Sequence, residues 1–255
     1  SSDGTRIAVE RSGAGASVLV FVHGWLGSGR WWDAQRAAFS TRFDVVAVDL
    51  ASHGASGRGR ARHSVDAYAD DIVAVVEALG VERVVLVGHS MSGAYVVHAA
   101  PRLPQVVAVV LVDTLKNVEH VIPAAQVNEM LALYRRDFAM AVERVLPQFL
   151  FAAGTPPEVR ARLQREFLER SGDEGAALLE PLYRVDLAAL AEQVKVPVRA
   201  INSDAQPTNE DANQRHFSDY AHRVIEGVGH YPMLEAPGAF NAALAETLAA
   251  LGLGA

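Results

Sequence analysis

An α/β fold on a mostly parallel, doubly wound sheet is what this sequence predicts, and three observations carry the prediction. Short runs rich in β-branched residues recur along the chain, and most are apolar throughout, as central strands covered by helices on both faces require. Segments of helical periodicity separate these runs, and strand alternating with helix is the mark of parallel crossover units. One stretch, from Lys116 to about Arg184, carries helical pattern alone. It is too long for a simple crossover and reads as a helical insertion on top of the sheet.

In chain order, strands are expected at Thr5–Glu10, Ser17–Val22 and Phe43–Val48, with a helix at Trp31–Ser40 before the third. Trp31-Trp32 is expected to pack at the start of that helix rather than to line an acyl pocket. A helix follows at Ser64–Leu79. Ser64 is an N-cap residue type whose hydroxyl accepts a backbone N–H, although Ala67 three residues on completes no capping box. The strand Arg83–Val87, the helix Gly93–Ala100 and the strand Val106–Val112 come next. Within the insertion, helical pattern covers Ala124–Arg136, Phe138–Phe151 and Pro157–Arg170. Its apolar face, including Met130, Leu133, Tyr134, Phe138, Met140, Leu146, Phe149, Leu150 and Phe151, is expected to pack on itself and the sheet, with a minority lining a pocket. The helix Asp186–Gln193, the strand Val198–Asn202, the helix Asn209–His216, the strand Arg223–Glu226 and the helix Ala239–Leu251 complete the chain.

At 255 residues the chain suits one large domain, or one domain with an insertion. Hydrophobic residues make up 50% and charged residues 21%, enough for a sizeable core in a globular protein. The formal charge of −7, with no Lys/Arg run beyond pairs such as Arg135-Arg136, argues against a nucleic-acid partner. The absence of cysteine removes disulfides, thiolate metal sites and a Cys nucleophile together. No His or Glu cluster with metal-ligand spacing lies on a helix face, and no Gly-rich phosphate loop precedes a helix, so neither metal nor cofactor is expected. No apolar run reaches membrane-spanning length, and residues 1–17 are polar and turn-rich, so no membrane partner and a cytoplasmic location are expected.

Chemistry concentrates at Gly88-His89-Ser90-Met91-Ser92-Gly93, between the strand Val84–Val87 and the helix that follows. A serine on a sharp strand-to-helix turn is pushed out at the carboxyl edge of the sheet, where open α/β folds place their ligands. Small neighbours are needed because strand and helix backbones approach closely there. Gly88 lies two residues before Ser90 and Ser92 two after it, and Ser92 is small enough for a position usually held by glycine. Ser92 itself lacks an upstream glycine and would lie in the first helical turn facing the strand. Ser90 is therefore the expected nucleophile. The alternative for both serines is a helix-capping role.

Two further strand ends complete a constellation. Val18 to Val22 runs into His23-Gly24-Trp25, where the Trp25 backbone N–H would join that of Met91 in an oxyanion hole. Gly227-Val228-Gly229-His230 sets a glycine-flanked histidine just after the last strand. Among the nine histidines it comes last in order and is the one with this setting.

With these stretches and Asp49-Leu50-Ala51-Ser52-His53-Gly54-Ala55-Ser56, the chain resembles the α/β-hydrolase superfamily, in its branch of cap-bearing, cofactor-free, serine esterase-like enzymes. The likeness spans nearly the whole length. It implies a core domain of residues 1–115 and 185–255 and a helical cap of 116–184, inserted after the sixth strand. It departs at Ser52, where the family usually has glycine, and in lacking the family's first, antiparallel strand, since Thr5–Glu10 fits its second. Haloalkane dehalogenases and epoxide hydrolases share the fold but use an aspartate nucleophile, which Ser90 argues against.

The resemblance also implies the order Ser, acid, His. In Ser203-Asp204-Ala205-Gln206-Pro207, the loop that usually carries the acid, the acid position holds neutral Gln206. Asp204, two residues early, and Asp113, ending the strand after the nucleophile's helix, both remain open, with Asp113 favoured as an acid position used elsewhere in the superfamily. The implied function is a serine hydrolase cleaving a small-molecule carboxylic ester through Ser90, His230 and Asp113. Lactonase, thioesterase, carbon–carbon bond hydrolase and perhydrolase chemistry share the fold, as does a non-catalytic small-molecule receptor. Oligomeric state is left open.

Overall fold

The computed structural model describes residues 1–253; Gly254 and Ala255, at the end of the expected core segment 185–255, lie outside the described residues. Seven strands form one sheet: β1 Ala8–Ser12, β2 Val18–Val22, β3 Asp44–Asp49, β4 Val84–His89, β5 Val106–Val112, β6 Val198–Ser203 and β7 Tyr220–Ile225. Their order is β1-β3-β2-β4-β5-β6-β7. β1 runs antiparallel to β3, and every other pair is parallel. The apolar runs fall where the topology buries both faces: β2 (VLVFV) and β4 (VVLVGH) are wholly buried, whereas the edge strands β1 and β7 are partly exposed.

The α-helices are α1 Asp33–Phe39, α2 Val65–Leu79, α3 Ser92–Ala99, α4 Ala124–Arg136, α5 Phe138–Met140, α6 Pro147–Leu150, α7 Pro157–Leu168, α8 Gly172–Leu179, α9 Leu187–Gln193, α10 Glu210–His216 and, after the last strand, α11 Pro232–Glu235 and α12 Pro237–Ala250. Ser64 caps α2 as expected, its hydroxyl accepting the Ala67 N–H at 3.1 Å. Trp31 and Trp32 are fully buried, Trp32 against Phe21 and Trp31 against His89, which makes them core beneath the site. Among the described residues, no helix is long and apolar enough to cross a membrane.

Register brings the carboxyl ends of the central strands together. Val22 pairs with Gly88, His89 with Val112, and Val112 with Ile201. Residues just beyond those ends, from His23, Ser90, Asp113 and the loop after β6, therefore collect along one edge.

The helical insertion follows β5, the sixth strand in the family's count, in which β1 is the second, as expected; other details need adjustment. β1 starts three residues later than the β-branched run implies, since Arg6 is drawn to another loop, accepting the Gly57 N–H at 2.8 Å, and Ala8 N–H donates to Ser56 Oγ. β7 starts earlier than Arg223, because Tyr220 to His222 pair with Val198 to Ala200 at an edge that tolerates polar residues. The segment 138–151 is not one helix. Pro147 has no N–H to donate, and Leu146 N–H bonds instead to the carbonyl of Ala141, five residues back, at 2.8 Å. The extra residue of this π turn rotates the face that follows, leaving Phe149 64% exposed rather than packed. Helix α8 was not singled out in the sequence, although Ser171 caps it by accepting the Glu174 N–H. Gly172 and Gly175 weakened its pattern. Gly172 is required because a Cβ there would sit 1.9 Å from the Tyr134 carbonyl oxygen.

Candidate active site

Ser90 sits at the turn between β4 and α3 with φ of +53°, in the left-handed region that costs a non-glycine residue about 1–3 kcal/mol. Local bonds hold it there: its N–H donates to the Val112 carbonyl at 3.1 Å, and its carbonyl accepts the Gly93 N–H and the Thr114 hydroxyl. The small neighbours have a steric cause. A Cβ on Gly88 would lie 2.7 Å from the Ser92 carbonyl oxygen, and one on Gly93 would lie 2.4 Å from Thr114 Cγ2. Ser92 is fully buried, and its hydroxyl donates to the carbonyl of His23 at the end of β2. It ties two strand ends together and does not reach the open side.

His230, on the loop after β7, connects both ends of a hydrogen-bonded chain. The Ser90 hydroxyl donates to His230 Nε2 at 2.7 Å, and His230 Nδ1–H donates to Asp113 Oδ2 at 2.7 Å. Asp113 stands at the end of β5 with φ of +45°, again in the left-handed region. Its second oxygen, Oδ1, accepts the Ser203 N–H at 2.7 Å and faces Lys116 Nζ at 2.8 Å. Burial alone would raise this carboxyl, but the hydrogen bond from His230 and the Lys116 charge outweigh it and hold the group well below the usual carboxylate range.

The backbone around His230 is held from three directions. Its N–H donates to the Leu150 carbonyl of α6 at 2.8 Å. Its carbonyl accepts His89 Nε2–H at 2.8 Å. Glu235 accepts the N–H groups on either side, from Gly229 at 2.8 Å and Tyr231 at 3.0 Å, and also the Thr155 hydroxyl. Burial, with His230 alongside, pulls the His89 imidazole down to about 3, so it is neutral and its Nε2 carries the proton that this bond requires.

On the β2 side, His23 Nε2 accepts the Leu50 N–H and Nδ1–H donates to the Gly24 carbonyl. Gly24 presses on the turn that holds Ser90: a Cβ there would come within 2.6 Å of His89 Nδ1 and 3.1 Å of Ser90 Cβ. Trp25 follows at once. Its indole N–H donates to the Gly175 carbonyl of α8, and its ring stacks on Tyr134 at 5.5 Å, so the side chain faces the insertion. Among the described residues, the backbone N–H groups of Trp25 and Met91 have no backbone acceptor.

The structure thus brings Ser90, His230 and Asp113 into one chain of hydrogen bonds, with Trp25 and Met91 beside it. Asp204 stands apart, exposed, its Oδ1 accepting the Gly227 N–H at 3.0 Å. Gln206 is exposed too. Sequence reading missed Lys116, Glu235, Thr155 and the bond from His89. The bonds from Thr155 to Glu235, from His89 to His230 and from Lys116 to Ser203 and Gln206 join residues far apart in the chain, so no local pattern marks them. Among the described residues, no three His, Asp or Glu side chains stand together as a metal-binding group.

Comparison with known proteins agrees with this architecture. The bifunctional esterase/perhydrolase DCH of Acinetobacter calcoaceticus is 47% identical over 90 residues, covering 35% of this chain and 33% of that protein. The chain spans about a third of the length of the curated relatives it matches. A thermophilic esterase from Thermogutta terrifontis superimposes with a TM-score of 0.83 at 24% identity, covering 96% of this chain and 93% of the other. The enol-lactonase of Burkholderia xenovorans LB400 gives 0.81 at 22% identity, covering 97% and 98%. At such identities the likeness establishes the fold. Residues 19–243 match the model of the Alpha/beta hydrolase family, and with that extent of match the chain belongs to this family.

Proposed function

We propose that this protein is a serine hydrolase that cleaves small-molecule carboxylic esters through Ser90, His230 and Asp113. The observation that carries the reading is the pair of 2.7 Å hydrogen bonds that His230 makes to Ser90 and to Asp113. His230 Nε2 takes the hydroxyl proton as Ser90 Oγ attacks the ester carbonyl, and Asp113 holds the imidazole in the Nδ1–H tautomer and stabilises the imidazolium that forms. The Trp25 and Met91 N–H groups receive the developing oxyanion; removing one such donor typically costs about 10²–10³ in kcat. The imidazolium then protonates the leaving alkoxide. Water, deprotonated by His230, attacks the acyl-enzyme and releases the acid with Ser90 restored. Ester and water are consumed; alcohol and acid are formed.

Relatives whose names include an esterase/perhydrolase, a thermophilic esterase and an enol-lactonase support acyl chemistry at this site. The 47% identity to the esterase/perhydrolase favours one second reading, in which hydrogen peroxide replaces water and the acyl-enzyme yields a peracid.

The test is turnover of p-nitrophenyl esters of graded chain length by the native protein, Ser90→Ala and Ser92→Ala, with and without hydrogen peroxide. Native and Ser92→Ala proteins turn over and Ser90→Ala does not. Hydrolysis that survives Ser90→Ala overturns the mechanism, and peracid formation in place of acid selects the second reading.

A further inference from the structure

The acid in this site does not stand alone. Lys116 Nζ lies 2.8 Å from Asp113 Oδ1, on the opposite side of the carboxylate from His230. The same ammonium donates to Ser203 O and Oγ at 3.1 Å each and to the Gln206 carbonyl at 3.2 Å. These acceptors lie at the last residue of β6 and in the loop after it, whose usual acid position holds Gln206. The Lys116 side chain is 14% exposed and that of Asp113 5%, so the pair is screened by little water.

We propose that Lys116 is a positioning residue for the reaction: it fixes the Asp113 carboxylate against His230 and weakens that carboxylate's hold on the imidazolium. This inference rests on the hydrolase reading above. Two links carry it. The ammonium and the Ser203 N–H occupy Oδ1, which leaves Oδ2 for His230 in one geometry. A cation one carboxylate away from the imidazole opposes imidazolium formation, because like charges disfavour one another.

The other groups around His230 do not supply this effect. His89, from the end of β4, is neutral. Glu235, from α11, spends its oxygens on backbone N–H groups and the Thr155 hydroxyl. Asp204 accepts the Gly227 N–H, and the Tyr231 ring meets His230 edge-on. The insertion contributes a neutral carbonyl from Leu150. Lys116 is the cation paired with the acid.

The experiment measures the pH dependence of ester kcat/KM, and of Ser90 labelling by a fluorophosphonate read by mass spectrometry, in native protein, Lys116→Met and Lys116→Arg. Removing the charge moves the acid limb of both profiles up by about one pH unit, and Lys116→Arg returns it to the native position. Lys116→Gln serves in the same way if Lys116→Met does not fold. An acid limb that stays in place or moves down in the neutral variants overturns the proposal, whatever happens to the plateau. Native protein that neither labels at Ser90 nor turns over ester overturns the hydrolase reading, and this inference with it.

Discussion

The carbonyl of Leu150 accepts the backbone N–H of His230 at 2.8 Å. One belongs to the helical insertion after β5 and the other to the loop after β7, so the insertion is in direct contact with the residue proposed as general base. Close approach is possible because residue 229 is glycine: a Cβ there would lie 2.6 Å from the Leu150 carbonyl oxygen and 2.8 Å from Ala152 N. Gly229→Ala must push the two segments apart. It is expected to lower kcat by at least tenfold with a smaller change in KM, as steady-state kinetics would reveal.

Glu235 locks the same loop by accepting the N–H groups of Gly229 and Tyr231. Glu235→Ala leaves both donors without that acceptor, at a cost of about 1–3 kcal/mol each if water does not replace it. Thermal unfolding is expected several degrees lower, at roughly 2–4 °C per kcal/mol for a chain of this size. Thr155→Val removes one donor to Glu235 and leaves the backbone bonds, so its loss in a calorimetric scan is the smaller one.

The two candidate acids separate cleanly by position. Asp113 bonds to His230, while Asp204 bonds to the Gly227 backbone. Asp113→Asn keeps the shape but offers the imidazole a poorer partner, and a drop in kcat of about 10³–10⁴ is expected. Asp204→Asn is expected to stay within a few-fold of native on the same ester. The reverse pattern would place the acid in the loop after β6.

Ser92 tests the tolerance of the nucleophile turn. Ser92→Gly or Ser92→Ala removes the bond to the His23 carbonyl, worth about 1 kcal/mol, while Ser90 keeps its geometry. Activity within a few-fold of native and a small drop in urea midpoint are expected. Ser92→Leu has no space in a fully buried site and should fail to fold.

Acid sensitivity follows from the buried imidazoles. Burial lowers the His53 group well below the ordinary value, and it brings His89 to about 3. A histidine depressed in the folded state is charged first in the unfolded chain, so its contribution is whole above about pH 6.5 and is lost as pH falls below that. His89 lowers the stability of the folded state progressively as pH falls from that point towards about 3. Denaturant titrations at pH 7, 6 and 5 should show stability declining over this interval. A flat profile would mean that these rings are not buried neutral in solution.

Much of the fold could be read from local pattern. The apolar runs of β2, β4 and β5 reveal strands covered on both faces, because burial on both faces removes alternation. The Ser90 turn and the glycine-flanked His230 are legible for a related reason: a sharp strand-to-helix turn needs small residues at close spacing, and spacing along the chain is local information. The broken helix at 138–151 and the outward Phe149 were not legible, since Pro147 alone does not tell whether a helix ends, kinks or adds a π turn.

The acid marks the boundary. By itself the sequence determined the sheet class, the turn that holds Ser90, the glycine-flanked His230, and two candidate carboxylates, Asp113 and Asp204. Only the tertiary structure decided which carboxylate meets the imidazole. The register of β4, β5 and β6 sets the end of β5 between Ser90 and the loop after β6, so Asp113 reaches His230 while Asp204 faces the turn at Gly227. Hydrogen bonds are decided by distances between elements far apart in the chain. The Leu150 carbonyl on His230, the Lys116 bonds to Ser203 and Gln206 and the Thr155 bond to Glu235 became visible for the same reason.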